Sequence, residues 1–359
     1  MISIFAFQAG SARALVPVIH RWRESRRGHF FIVAYPQAAG VFREAGLECV
    51  EAAGNGMEVF VEGPELLLTG TSWQPEIESA LWQKAAERGI PSLAILDNWN
   101  SVSRRFTAPV GGAAYNSLPD RVAVMDEFTR AAMVEAGCPS GCVRVTGQPA
   151  LDGFSNPEAF SRMAARERLG VEMEKPILLF VSEALQTFFG ESGELDVRFG
   201  YDDEVVLADV LEALSEPEAE RFSMVVKLHP AETVDRASPV LARYPDISSR
   251  VVRESGQDWA AAANLVVGTT SILLLEAALM GRKVCSHRPN ARSGSPMLEA
   301  NRGRITETRT GGELRAWLNG ADRIPGNAAR AKVADSAAEN VCVLMETLIF
   351  QSRPTPVDR

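Results

Sequence analysis

The chain has 359 residues, of which 46% are hydrophobic and 23% charged, with a net charge of -9. That length suffices for two domains with separate cores, and the acidic balance leaves no basic excess to hold a nucleic-acid backbone, so no nucleic-acid partner is expected. Five scattered cysteines (Cys49, Cys138, Cys142, Cys285, Cys342) read as free thiols of a cytoplasmic protein. The lone C-x3-C pair has no second pair or nearby histidine to complete a zinc site, and no metal is expected.

Residues 1–7 are apolar but lack the charged start and cleavage pattern of a signal peptide, and no run reaches the roughly 18 apolar residues of a membrane span. Strand-like runs follow at 2–7, 30–35, 47–52, 65–69, 91–96, 121–125 and 143–146, with helical patterns at 14–23, 38–45, 76–88 and 127–136. Gly46, Gly89 and Gly137 stand after three of these as left-handed helix stops. The basic segment 21–27 (RWRESRR) reads as a solvated helix end, with peripheral contact to an anionic membrane surface as its alternative. After Gly147-Gln148-Pro149 comes a polar helical stretch at 156–169. A second β/α series then runs through 176–181, 223–228, 247–252, 264–267 and 283–286. Apolar strands alternating with helices predict parallel, doubly wound sheets. The expected organisation is a first Rossmann-like domain over 1–150, a linker at 151–172, a second such domain over 173–327, and a final helix within 328–350 that packs back on the first domain.

Ligands of such sheets bind beyond the carboxyl ends of the strands, so the residues there are the functional candidates. In the second half they are Ser182-Glu183, His229-Pro230 and Gly268-Thr269-Thr270-Ser271, the last opening directly into an apolar helix that carries Glu276. Three hydroxyls exceed what an N-cap needs, and a helix tip attracts anions. His229 at a strand mouth offers an imidazole N–H to a phosphate, though a structural histidine braced by Pro230 fits as well. Glu276 suits a pair of ribose hydroxyls, or a salt bridge to Arg282. In the first half, Gly10, Ser11, Thr71 and Gln148 line the expected cleft, and Asp97 is the candidate general base, with Glu127 second. Both acids have helix or turn capping as their alternative role. Arg104 and Arg105 either supply positive charge or sit in solvent. Asp202-Asp203 reads as first-turn charge on a helix.

Lys227-Leu228-His229-Pro230 resembles the K-x-H-P element of bacterial capsule, Kdo and teichoic-acid transferases. Gly268-Thr269-Thr270-Ser271 with Glu276 resembles their second motif, and Gly147-Gln148-Pro149 is similar to the interdomain turn of many GT-B proteins. The superfamily includes sugar-nucleotide 2-epimerases, whose paired-glycine, double-glutamate run is replaced here by residues 271–276. The resemblance implies an α/β GT-B fold, with two Rossmann-like parallel-sheet domains facing across a cleft. It also implies donor-phosphate ligands at His229, Thr270 and Ser271. The expected activity is metal-independent transfer of a sugar from a CMP-, CDP- or UDP-linked donor to a glycan or lipid-linked acceptor in surface polysaccharide biosynthesis. The nucleotide-sugar is a co-substrate and no further cofactor is expected. A 2-epimerase or hydrolase of the same fold is the alternative, followed by a silent nucleotide-binding protein.

Overall fold

The computed structural model describes residues 1–26, 28–109, 111–154, 160–172, 175–190, 195, 199–215, 222–253, 255–320 and 336–352. The chain divides into two compact units, Met1–Gly153 with Lys332–Arg359, and Phe154–Ala331. The first unit contains β1 (Ile2–Ala6), α1 (Ala9–Ser25), β2 (Phe30–Ala34), α2 (Pro36–Glu44), β3 (Val50–Glu51), β4 (Leu66–Thr69), α3 (Glu76–Glu87), β5 (Ser92–Ile95), β6 (Arg121–Val124), α4 (Glu127–Glu135) and β7 (Val143–Val145). The second contains α5 (Arg162–Leu169), β8 (Ile177–Val181), α6 (Leu185–Phe189), α7 (Asp203–Leu214), β9 (Ser223–Lys227), α8 (Ser238–Leu241), β10 (Ser249–Val252), α9 (Gly256–Ala262), β11 (Leu265–Gly268), α10 (Ile272–Leu279), β12 (Lys283–His287), α11 (Pro296–Ala300), β13 (Thr306–Thr308) and α12 (Gly311–Gly320). α13 (Ala337–Ser352) belongs to the first unit.

Every strand pairing is parallel, in the orders β3-β2-β1-β4-β5-β6-β7 and β10-β9-β8-β11-β12-β13. Both are doubly wound Rossmann orders. In each, the direction of winding reverses between two adjacent strands, β1 and β4 in one sheet and β8 and β11 in the other. Helices cover both faces, so central strands bury alternate and adjacent side chains alike. Ile4, Phe5, Leu66, Leu67 and Leu68 are all fully buried, which is why these strands read as unbroken apolar runs.

The structure differs from the periodicity at several places. α1 begins five residues before the expected helix and carries Pro17 in its interior, at the cost of one intrahelical hydrogen bond. β3 is a two-residue exposed edge strand, because Leu47 is buried by packing outside the ladder. β13, the other edge, has the sequence Thr-Glu-Thr and carries no apolar signal. Gly46, Gly89 and Gly137 do adopt φ of 71°, 66° and 101°. The early part of the expected 156–169 helix lies outside the described residues, as does the start of the expected final helix.

α13 lays Val341, Cys342, Met345 and Leu348 into the cluster formed by Leu15, Val18, Ile19 and Trp22. Asp152 caps it from a distance, accepting from the N–H groups of Ala337 and Ala338 at 2.8 Å each. Arg21 and Arg26 of the basic segment pair with Glu339, and Arg26 also pairs with Glu346. These bonds hold the Glu339 carboxyl down at about 2. The two arginines therefore tie α13 to α1. No described helix is long and apolar enough to cross a membrane.

Just past β4, a Cβ on Gly70 would overlap Ser11 of α1, whereas Gly40 in α2 has open space around its Cβ position. Gly70→Ala should therefore lose about 2 kcal/mol or more through overpacking. Gly40→Ala should gain about 0.5–1 kcal/mol from helix propensity. Urea denaturation midpoints of the two variants check this contrast.

Candidate functional site

In the first unit, side chains gather around the Asp97 carboxylate just past β5. Oδ1 accepts from Arg105 Nη1 at 2.6 Å and from Thr71 Oγ1 at 2.9 Å. Arg105 is 2% exposed, so this ion pair lies inside the protein and not in solvent. Removing one partner of such a pair strands the other charge. The Gln148 side-chain amide donates to the carbonyls of Leu96 and Asp97 at 3.2 and 3.0 Å and braces the backbone there. Oδ2 lies against the first turn of α1, where a Cβ on Gly10 would come within 2.6 Å of it. The carboxylate thus sits at the positive end of that helix. Trp73 lies beneath the guanidinium groups of Arg104 and Arg105.

Gly10, Thr71, Gln148 and Asp97 are thereby brought together. Ser11 does not join them: its hydroxyl donates to the Gln8 carbonyl at 2.6 Å. Glu127 also stays apart, with a side chain 74% exposed and paired with Arg130. Its neighbour Asp126 caps α4 through Thr129 N–H and accepts from Trp99 Nε1.

Glu78 belongs to this cluster and was not singled out from the sequence. It is 1% exposed on α3. Ser72 Oγ lies 3.0 Å from Glu78 Oε2 and 2.9 Å from the Gln74 carbonyl oxygen. That hydroxyl has a single proton; if it serves Gln74, a protonated Glu78 completes the other contact by donating back. Burial pushes the Glu78 carboxyl up to about 7, with Asp97 adding to the rise and Arg105 opposing it. Its signal was present in the helical period, since Glu78, Leu81, Trp82 and Ala85 share the buried face of α3.

In the second unit the candidates meet at the reversal between β8 and β11. Glu183, just past β8, accepts from Thr270 N–H at 2.6 Å and from the Thr270 hydroxyl at 3.2 Å. Ser271 is the N-cap of α10, accepting from Leu273 N–H at 3.3 Å. Thr269 is 1% exposed, and its Oγ1 has no hydrogen-bond partner among the described residues. His229 accepts from Ala231 N–H at Nδ1, 3.1 Å away. The imidazole therefore carries its proton on Nε2 when neutral, and burial, reinforced by Lys227, pulls its pKa below the usual value. Lys227 Nζ donates to the Leu228 carbonyl at 2.6 Å.

Glu232, three residues after His229, accepts from Ser182 Oγ at 2.9 Å and from His229 N–H at 2.8 Å. It ties the ends of β8 and β9 together. Asp203 does more than favour a helix dipole: it is 6% exposed and accepts from the N–H groups of Glu183 and Leu185 at 2.8 and 2.5 Å. The cap of α7 is Asp202. Glu276 is buried and accepts from Gln257 at 3.3 Å. Arg282 turns instead to the Phe160 carbonyl.

No protein-family model and no curated protein sequence matches this chain. Solved structures do. A UDP-GlcNAc 2-epimerase from Neisseria meningitidis bound to UDP-GlcNAc matches with TM-score 0.66 at 12% identity, over 98% of this chain and all of that one. The S. aureus MnaA–UDP structure matches with TM-score 0.70 at 13% identity, over 100% and 99%. Anabaena HepE in complex with UDP-glucose matches with TM-score 0.59 at 14% identity, over 98% of each chain. The chain has the GT-B fold. The 2-epimerases among these structures stand where capsule- and Kdo-type transferases were expected. This corrects the glycosyltransferase reading, and the glycan or lipid-linked acceptor goes with it.

Because Glu78 has a folded-state pKa of about 7 against an ordinary 4.5, its contribution to stability is complete below pH 4.5 and lost as pH rises through 7. Glu78→Gln should match the parent protein near pH 4.5. Above pH 7 it should be more stable, by up to about 3 kcal/mol. Urea denaturation at pH 5 and pH 8 tests both halves of this expectation.

Proposed function

We propose that this protein binds a uridine diphosphate sugar and inverts its C2 centre. The observation that carries the reading is the full-length match to UDP-GlcNAc 2-epimerases, taken with a neutral His229 and hydroxyls at the tip of α10. Those two features are suited to a diphosphate. In this reading Thr269, Thr270 and Ser271 are the phosphate-handling residues of the second unit and Asp97 the base of the first.

The chemistry follows from the substrate. C2 of a pyranose has no carbonyl beside it, so a proton leaves C2 only if the electron pair has somewhere to go. Departure of the diphosphate from C1 supplies that outlet: the C2–H and C1–O bonds break, a C1=C2 double bond forms, and the electron pair ends on the leaving phosphate. Donors at the α10 tip and His229 Nε2–H stabilise the charge that develops there. Asp97 takes the proton, held in orientation by Arg105, Thr71 and the braced backbone. Protonation of C2 from the opposite face with return of the diphosphate gives the epimer. Addition of water at C1 gives hydrolysis instead.

Incubation with UDP-GlcNAc in deuterium oxide should place deuterium at the sugar C2, read by NMR. Asp97→Asn should slow that exchange by about 100-fold or more, with circular dichroism confirming that the variant is folded. Retention of all C2 protium by the folded wild-type protein would remove the epimerase reading. His229→Ala should weaken UDP binding by about 1.5–3 kcal/mol, as expected for a charge-assisted hydrogen bond. Isothermal titration calorimetry measures that loss directly.

A further inference from the structure

Two donors just ahead of α10, both on Thr270, are already in use. Glu183 takes both the N–H and the hydroxyl of Thr270, the groups that a phosphate at this helix end would need. The backbone that presents Glu183 is fixed. Its own N–H and that of Leu185 both donate to Asp203, and Ala184 between them holds a left-handed φ of 58°, a conformation that costs a non-glycine residue energy. Ser182, on the other side, is bonded to Glu232. The segment is built to hold one carboxylate on Thr270.

The charges around Glu183 come from several elements. Asp203 at the start of α7 disfavours its ionised form, and Arg288 beyond β12 favours it. Arg288 is 3% exposed and already bonded to Tyr201, Glu307 and the Ser293 carbonyl. Tyr201 is neutral there, its hydroxyl pushed up by burial. Glu232, on the β9 side, adds to the rise at Asp203, which reaches about 6 chiefly through desolvation. His229 on the same side is held below its usual value. Loss of hydration, more than any of these charges, puts the Glu183 carboxyl at about 7.

We infer that Glu183 is a built-in competitor for the phosphate of the nucleotide: its carboxylate occupies the Thr270 donors, and the phosphate gains them as Glu183 takes up a proton. This rests on the nucleotide-sugar reading above. Two anions sharing one pair of donors repel, whereas a neutral Glu183 leaves the tip of α10 to the ligand. Nucleotide affinity is then greatest below pH 7 and falls as pH rises through that value. Neither His229 nor Asp203 supplies the slope in that range, because their titrations lie lower. The terminal phosphate of UDP, with a pKa of about 6, is also ionised by then.

Calorimetric titration of UDP into the full-length wild-type protein and Glu183→Gln at pH 6.5, 7.5 and 8.5 tests the inference. The wild-type Kd should rise roughly three- to tenfold between pH 7.5 and 8.5, as release of one proton requires. The Gln variant should show a nearly constant Kd, at least about fivefold tighter than wild type at pH 8.5. A flat wild-type profile overturns the competitor role, as does a folded Gln variant that binds no tighter at pH 8.5. If the variant does not fold, the wild-type slope alone decides. Absence of UDP binding by wild type at all three pH values overturns the nucleotide-sugar reading itself, a result distinct from binding without a slope.

Discussion

The reversal of winding in each sheet is the constraint on which the rest of the molecule depends. Where adjacent parallel strands send their loops to opposite sides, the backbone parts and leaves a crevice at the carboxyl edge. In the first unit the parting lies between β1 and β4, and the contact of Gly70 with Ser11 spans it. Thr71 then reaches Asp97 from the same point. In the second unit it lies between β8 and β11, and the Glu183–Thr270 bonds cross it. One topological feature, used twice, underlies both candidate clusters.

The buried carboxylates are handled in two ways. Asp97 faces a buried guanidinium and a hydroxyl, so a full charge is matched by a full charge. Glu183 and Asp203 bond to backbone N–H groups and a hydroxyl, while Glu78 meets the Ser72 hydroxyl. All three are pushed up by loss of hydration. Dipoles offset only part of the cost of taking a carboxylate out of water. The molecule therefore pairs one firmly anchored acid with several poised near neutrality, a distribution suited to moving protons.

Much of this was legible in the amino-acid sequence, for identifiable reasons. Buried parallel strands are apolar on both faces, so runs such as Ile177–Val181 and Leu265–Gly268 declare themselves. The residues just past them, His229, Thr270 and Asp97, stand out as polar groups on apolar supports. What escaped are partners distant along the chain. Asp152 caps a helix 185 residues away. Glu232 lies only three residues from His229, yet its role comes from Ser182, 50 residues earlier. Edge strands escaped for a different reason: β3 and β13 are short and largely polar or exposed, and are fixed by pairing with a neighbour.

The transferase expectation failed at a definable step. A histidine at a strand mouth and hydroxyls at a helix tip suggest a place for phosphate, because those groups answer its charge and geometry. They say nothing about which bond to the sugar breaks next, or where a proton goes. Transfer and C2 inversion both begin with departure of the diphosphate, so they share this half of the machinery. They part at the base: one reaction takes a proton from an incoming hydroxyl, the other from carbon. In the proposed epimerase reading that distinction falls to the Asp97 cluster, with its buried Arg105 and the desolvated Glu78 behind it. No short motif in the chain announces the arrangement, because its members come from β4, α3 and β5 and are assembled only by the fold.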